Sequence, residues 1–90
     1  MSSHRIAIID DQAAVRHALG EMLDAYGYAV ALFESAEAFL ADPARPGFGC
    51  VVSDVRMPGM DGIALVRALL TREAPEVPVV LISGQADIPM

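Results

Sequence analysis

Ile6-Ala7-Ile8-Ile9-Asp10-Asp11 is the stretch that decides the fold, read with Cys50-Val51-Val52-Ser53-Asp54. Each is a short apolar run that ends at once in acid. Such runs read as buried strands whose carboxyl ends carry carboxylates. If the two strands are parallel neighbours, Asp10, Asp11 and Asp54 meet at one edge of a sheet. Three like charges brought together out of water need a cation. Oxygen-only ligands select a hard divalent ion, and Mg²⁺ is the expected one.

The rest of the chain supplies the elements that such a sheet needs. Gln12 to Tyr26 reads as a helix, with Val15, Leu19, Met22, Leu23 and Tyr26 on one face and Gly27 as its stop. Ala29 to Phe33 reads as a second strand. Ser35 is placed to cap a short helix over Ala36 to Ala41, with Phe39 and Leu40 on its apolar side. Asp42-Pro43 through Pro46-Gly47 is a loop rich in breakers, and Cys50 to Ser53 is the third strand. Met57-Pro58-Gly59-Met60 is irregular. Asp61 then caps a helix from Gly62 to about Arg72, with Ile63, Val66, Leu69 and Leu70 expected inward. Val77 to Ile82 is a fourth strand, with Pro78 tolerated near its start. Strands alternating with helices imply a doubly wound parallel sheet with helices on both faces. Ligands in such sheets sit beyond the carboxyl ends of the strands, where Asp10, Asp11, Asp54 and Ser83 all fall.

Composition narrows the function. Ninety residues allow one domain, and 54% of them are hydrophobic, which excludes a disordered chain. A chain of this size buries only about 60–65% of its unfolded surface. No apolar run approaches the ~20 residues that span a bilayer, and no signal peptide is visible. No membrane contact and a cytoplasmic location are therefore expected. The net charge is −6, and the six basic residues are scattered arginines with no lysine among them. Without a basic stripe, direct nucleic-acid contact by this segment is not expected. The lone Cys50 reads as a small buried hydrophobe.

Taken together, IIDD ending at Asp11, VVSDVRMPGMDG from Val51 to Gly62 and VVLISG from Val79 to Gly84 resemble the receiver domain of two-component response regulators. ESAEAFL, DVRMPGMDG and SGQADIPM resemble the FixJ-type receivers in particular. The resemblance covers essentially the whole chain, as one receiver domain over residues 1–90. It implies a flavodoxin-like fold with strand order 2-1-3-4-5. It also implies that Asp54 accepts a phosphoryl group from a sensor histidine kinase. Asp11, Asp54 and the main-chain carbonyl of Arg56 would ligate Mg²⁺, with Asp10 acting mostly through a bound water. Ser83 would hydrogen-bond the phosphoryl group. A carboxylate acceptor makes a labile acyl phosphate, so the mark is reversible. The receiver would catalyse at most its own phosphorylation, and would otherwise not be an enzyme. Its partners would be the kinase and an output domain, a DNA-binding transcriptional regulator outside these residues, or a second copy of itself.

Against the family pattern, the chain stops near Ile88-Pro89-Met90, where a fourth helix would begin. The fold is therefore expected to be truncated after the fourth strand, leaving that strand as an apolar edge. The family's phosphate-binding lysine falls beyond this point, which keeps open a phosphorylation-independent protein-interaction module. A Mg²⁺-dependent phosphatase with an aspartyl nucleophile fits worse, because its nucleophile and acid stand two apart on the first strand, whereas Asp10 and Asp11 are adjacent. Each residue also has a plainer reading. Asp11 alone would be a helix cap and Asp54 a turn residue. Asp61 is assigned to capping. His4 and His17 read as solvated residues, Met57 and Met60 as loop packing. Only the joint arrangement of the three acids and Ser83 outweighs these.

Overall fold

The computed structural model describes residues 5–42, 47–72 and 77–82. Its elements are β1 (Arg5–Ile9), α1 (Ala13–Ala25), β2 (Ala29–Phe33), α2 (Ala36–Leu40), β3 (Cys50–Asp54), α3 (Gly62–Arg72) and β4 (Val79–Ile82). The four strands form a parallel sheet in the order β2-β1-β3-β4. The doubly wound reading is therefore correct, and so is the order of these strands. Two strand boundaries differ from expectation. Asp54 belongs to β3 and pairs with Ile82, so it is the last residue of its strand and not the first beyond it. Val77 and Pro78 precede β4, and the Pro78 carbonyl accepts from Val51 N–H, a role that needs no proline N–H.

Register divides the strand residues between two layers. Ala7, Ile9, Val51 and Val79 turn to the face covered by α2 and α3. There they pack with Ala36, Phe39, Phe48, Met57, Leu65 and Leu69 in one buried cluster. Phe33, Phe39 and Phe48 meet edge-on or tilted at centroid distances of 5.3–6.1 Å, and the Arg5 guanidinium lies 4.1 Å over the Phe48 ring. Edge-to-face geometry sets the positive ring edge against the negative face, which favours these contacts beyond area alone. The opposite face, with Ile8, Val30 and Leu32, carries α1.

Helix ends follow local chemistry. Ser35 Oγ accepts from Ala38 N–H at 3.0 Å, and Asp61 Oδ1 accepts from Ala64 N–H at 2.8 Å, so both expected caps are present. Gly27, at φ +96°, ends the turn after α1 in a conformation that only glycine adopts without strain.

The helices are rotated from the expected faces. In α3, Leu65 and Leu69 are buried, whereas Ile63 and Leu70 are 44% and 61% exposed. Val66 is half-buried. Apolar residues occur on every side of this helix, so periodicity leaves its rotation open. Gly62 sets it. A Cβ there would lie 2.5 Å from the Asp54 carbonyl oxygen and 3.0 Å from Val55 Cα. The helix thus meets the sheet along Gly62, Leu65 and Leu69. Likewise α1 is most buried at Gly20, whose Cβ would come 3.1 Å from Leu32. Val15, Leu19 and Leu23 are half-buried, but Met22 and Tyr26 are 49% and 74% exposed.

β2 and β4 are the edges of the sheet among the described residues, and Val80 on β4 is 48% exposed. His17 is exposed, as expected, and Cys50 is half-buried. Among the described residues no helix is long and apolar enough to cross a membrane. His4, the loop at 43–46, Ser83 and the segment to Met90 lie outside the described residues.

Gly62→Ala should destabilise the protein. The tightest neighbour of the added methyl is the Asp54 backbone oxygen, with Val55 Cα and Leu81 Cδ2 next; the backbone atoms cannot rotate away, and overpacking of this kind costs about 1–3 kcal/mol. The better helix propensity of alanine, at most about 1 kcal/mol, is worth less at a first helical position. Urea unfolding monitored by circular dichroism measures the balance; an unchanged or raised midpoint would show that α3 can shift away from β3.

Candidate metal and acceptor site at the carboxyl end of the sheet

Adjacent β1 and β3 end side by side; Asp54 is the last residue of β3, and Asp10 and Asp11 follow β1 directly, which brings the acids together. Asp10, Asp11 and Asp54 each place a carboxylate oxygen within 4.8 Å of the others. Asp10 is 1% exposed and Asp54 5%, while Asp11 is exposed and closes the cluster from the solvent side. The pocket is thus a pair of buried acids with a third at the mouth.

Backbone bonds fix both buried acids. Asp10 N–H donates to the Phe33 carbonyl, which extends the β1–β2 ladder by one rung. Asp10 Oδ1 accepts from Gln12 N–H at 2.9 Å, so this carboxylate organises the turn into α1, where Gln12 makes no side-chain cap. The Arg16 guanidinium reaches back from α1 and donates to the Asp10 carbonyl at 2.8 Å. On the other strand, Asp54 Oδ1 accepts from Arg56 N–H at 3.3 Å. Ser53 Oγ donates to the Asp54 carbonyl at 3.0 Å. Val55 N–H donates to Ile82, and Gly62 N–H to Val55, each at 2.9 Å. The segment after Asp54 is therefore tied to β4 on one side and to the start of α3 on the other.

Asp10 Oδ2 is buried and has no hydrogen-bond partner among the described residues. A buried, unpaired carboxylate oxygen is costly, and the carboxyl group responds. Burial pushes the Asp10 pKa above its ordinary value of 3.8, against the Gln12 hydrogen bond that lowers it, and the charges of Asp54 and Asp11 push it further up. A divalent cation would relieve both effects at once. The donor set is all oxygen, which suits Mg²⁺ or Ca²⁺ and not a soft metal. These residues fit such an ion.

Asp10, Asp11 and Asp54 therefore converge as the sequence reading expects. Arg56 stands beside Asp54 through its N–H, and Ser83 lies outside the described residues. Arg16 and Gly62 escaped that reading. Arg16 had only its place on the first helix, about a turn past the acids, to mark it. Gly62 was visible as a glycine directly after a cap residue, a position where a helix gains nothing from glycine unless something lies close.

Asp10→Asn should stabilise the metal-free protein. The amide keeps an oxygen for Gln12 N–H and removes the buried charge, and relief of an unsatisfied buried group is worth about 1–3 kcal/mol. The sign with pH follows from linkage. Folded Asp10 holds its proton more tightly than unfolded Asp10, so this residue lowers stability as pH rises from 3.8 through its folded pKa. The stability gap between Asp10→Asn and the parent should thus widen over that rise and then level off. Urea midpoints measured in chelator from pH 3.5 to 8 check it; a gap that narrows as pH rises would contradict the burial argument.

Residues 6–90 match the family described as the response regulator receiver domain. The transcriptional regulatory protein FixJ of Bradyrhizobium diazoefficiens is 48% identical over 87 residues, covering 94% of this chain and 41% of FixJ. The C4-dicarboxylate transport transcriptional regulatory protein DctD of Rhizobium meliloti is 42% identical over 85 residues, covering 94% of this chain and 18% of DctD. The crystal structure of FixJ-N superposes with a TM-score of 0.78 at 40% identity, over 99% of this chain and 70% of the other. The chain thus spans less than half the length of these curated relatives. With the strand order, the acidic pocket and these relatives in agreement, the chain belongs to the response regulator receiver family.

Proposed function

We propose that this chain is the phosphoryl-accepting switch of a two-component phosphorelay, with Asp54 as the acceptor and a sensor histidine kinase as the donor. The observation that carries this reading is the convergence of three carboxylates at the end of a receiver sheet, with Asp10 Oδ2 buried and without a partner among the described residues. An Asp54 carboxylate oxygen attacks the phosphorus of phosphohistidine. The phosphorus–nitrogen bond breaks, the imidazole leaves with its electron pair and takes up a proton, and Asp54 becomes an acyl phosphate. Arg56 N–H engages Oδ1, so attack falls to Oδ2.

Asp10, Asp11, Asp54 and the main-chain carbonyl of Arg56 would hold Mg²⁺, with Asp10 reaching it through a water. When bound, the ion supplies charge neutralisation for the transferring group. The protein itself contributes placement. Two strand ends hold the acceptor and Asp10 side by side, and Arg16 and Gln12 lock the turn after Asp10. Burial of Asp54 limits access of bulk water to the acyl phosphate. Ser83, next in sequence after the β4 residue that pairs with Asp54, would donate its hydroxyl to the arriving phosphoryl group.

The phosphoryl state is then read by an output module that controls transcription. Support for this comes from the relatives, which are named transcriptional regulatory proteins and are longer than this chain. A histidine kinase donor places the event in the cytoplasm. In this reading the receiver acts through protein contacts and touches no nucleic acid itself.

Phosphorylation by a small donor such as acetyl phosphate, followed by intact-protein mass spectrometry, tests the assignment. With Mg²⁺ present the parent chain should gain one phosphoryl group, and both Asp54→Asn and omission of the metal should abolish the gain. Asp11→Asn should weaken Mg²⁺ binding without unfolding the chain, because Asp11 is exposed. Label that persists in Asp54→Asn would refute the acceptor, and label absent from the parent itself would favour a phosphorylation-independent interaction module.

A further inference from the structure

The segment from Val55 to Asp61 carries the Arg56 backbone that borders Asp54, yet its direct hold on the acceptor is weak. The Arg56 N–H to Asp54 Oδ1 bond, at 3.3 Å, is beyond the usual range for N–H donors. A stronger tie comes from another element. Glu37, in the first turn of α2, accepts Met60 N–H on its Oε2 at 3.0 Å. The two residues are 23 apart in sequence.

Independent features of the loop are built around that carboxylate. Gly59 has φ +75°, and a Cβ there would lie 2.7 Å from the same Glu37 Oε2. The loop therefore bends in a way that only glycine tolerates, and the missing side chain leaves the space in which Glu37 sits. Both ends of the tie are anchored. Ala36 and Phe39, at 0% and 1% exposure, fix α2 in the core, and Ser35 caps it. Met57 is buried in the same core, and Gly62 N–H holds the far end of the loop to Val55.

We propose that Glu37 is a positioning residue for the Asp54 site, acting through Met60 N–H to set the loop that presents the Arg56 backbone. The proposal deepens the reading of the site as a divalent-cation and phosphoryl pocket and rests on it. Glu37 touches neither group. It decides where the Arg56 main chain stands when the cation arrives, so its loss lowers cation affinity and leaves the three carboxylates in place. The needed property is an acceptor oxygen, so glutamine should serve and alanine should not.

The test uses the full chain as parent, Glu37→Gln and Glu37→Ala, with MgCl₂ alone as the probe and backbone amide NMR as the readout. Urea unfolding of each variant runs alongside. Glu37→Ala should bind Mg²⁺ about tenfold more weakly, the scale expected when a group that orients a ligand is lost. Its Met60 and Arg56 amide signals should move in the metal-free state. Glu37→Gln should keep the parent affinity and the parent positions of both signals. Unchanged affinity with unmoved Arg56 in Glu37→Ala overturns the proposal. So does equal loss in both variants, which would assign the effect to charge or to stability. If the parent itself takes no Mg²⁺, the cation reading falls, and the proposal is then decided by the metal-free Arg56 signal: displaced in Glu37→Ala and kept in Glu37→Gln supports it, and unmoved in both refutes it.

Discussion

Burial of carboxylates drawn together at the end of a parallel sheet is the constraint around which the described structure is arranged. Their oxygens lie within 4.8 Å of one another, and two of the three acids are almost wholly buried. Such a cluster opposes folding in the absence of a cation, so the surrounding structure has to hold it open. It does so with backbone groups. Gln12 N–H and Arg56 N–H each take one carboxylate oxygen, and the Arg16 guanidinium adds positive charge at the Asp10 carbonyl. One oxygen, Asp10 Oδ2, has no partner among the described residues. A buried carboxylate oxygen of this kind costs folding free energy, which fits a site kept for binding.

The core answers by bringing rigid elements close to these acids. Glycine makes the approach possible at two places. Gly62 lets the start of α3 press on the Asp54–Val55 backbone, and Gly20 lets α1 lie against Leu32. Because α3 begins at the loop that leaves Asp54, its rotation about Gly62 fixes that loop as well as burying Leu65 and Leu69. Packing and site geometry are therefore one arrangement on this side of the sheet. A bulkier residue at position 62 would disturb the acceptor before it disturbed the hydrophobic cluster.

These relations explain what could be read from the sequence. Strand positions and the acids were legible because apolar runs ending in carboxylate have one economical explanation, a buried strand opening on a polar edge. Ser35 and Asp61 were legible because capping is local chemistry. The inward faces of α1 and α3 were legible only in part: Leu69 is buried and Val15, Leu19, Leu23 and Val66 are half-buried as expected. Ile63 and Leu70 were expected inside and are exposed, because α3 is apolar all round and its rotation is set by a contact with β3, distant in the helix pattern. Met22 and Tyr26 misled in the same way on α1. Arg16 and Glu37 were invisible for a related reason. Each acts on a backbone group brought near only by folding, six residues away in one case and 23 in the other.

That difference has a physical consequence for how such a switch can work. Of the acids, Asp54 ends β3 in register with Ile82 of β4, and Asp10 follows β1 directly with its N–H on the Phe33 carbonyl of β2. The residues that set the loop after Asp54 stand elsewhere, on α2 and at the start of α3, and act through single hydrogen bonds or a single close contact. A change in charge at Asp54 would act first on the long Arg56 bond, while buried Met57 and the bonds of Val55, Met60 and Gly62 hold the rest of the loop. Acids fixed by the sheet beside one long hydrogen bond are an arrangement that the proposed switch would use, since a two-state element needs one part that holds and one that moves.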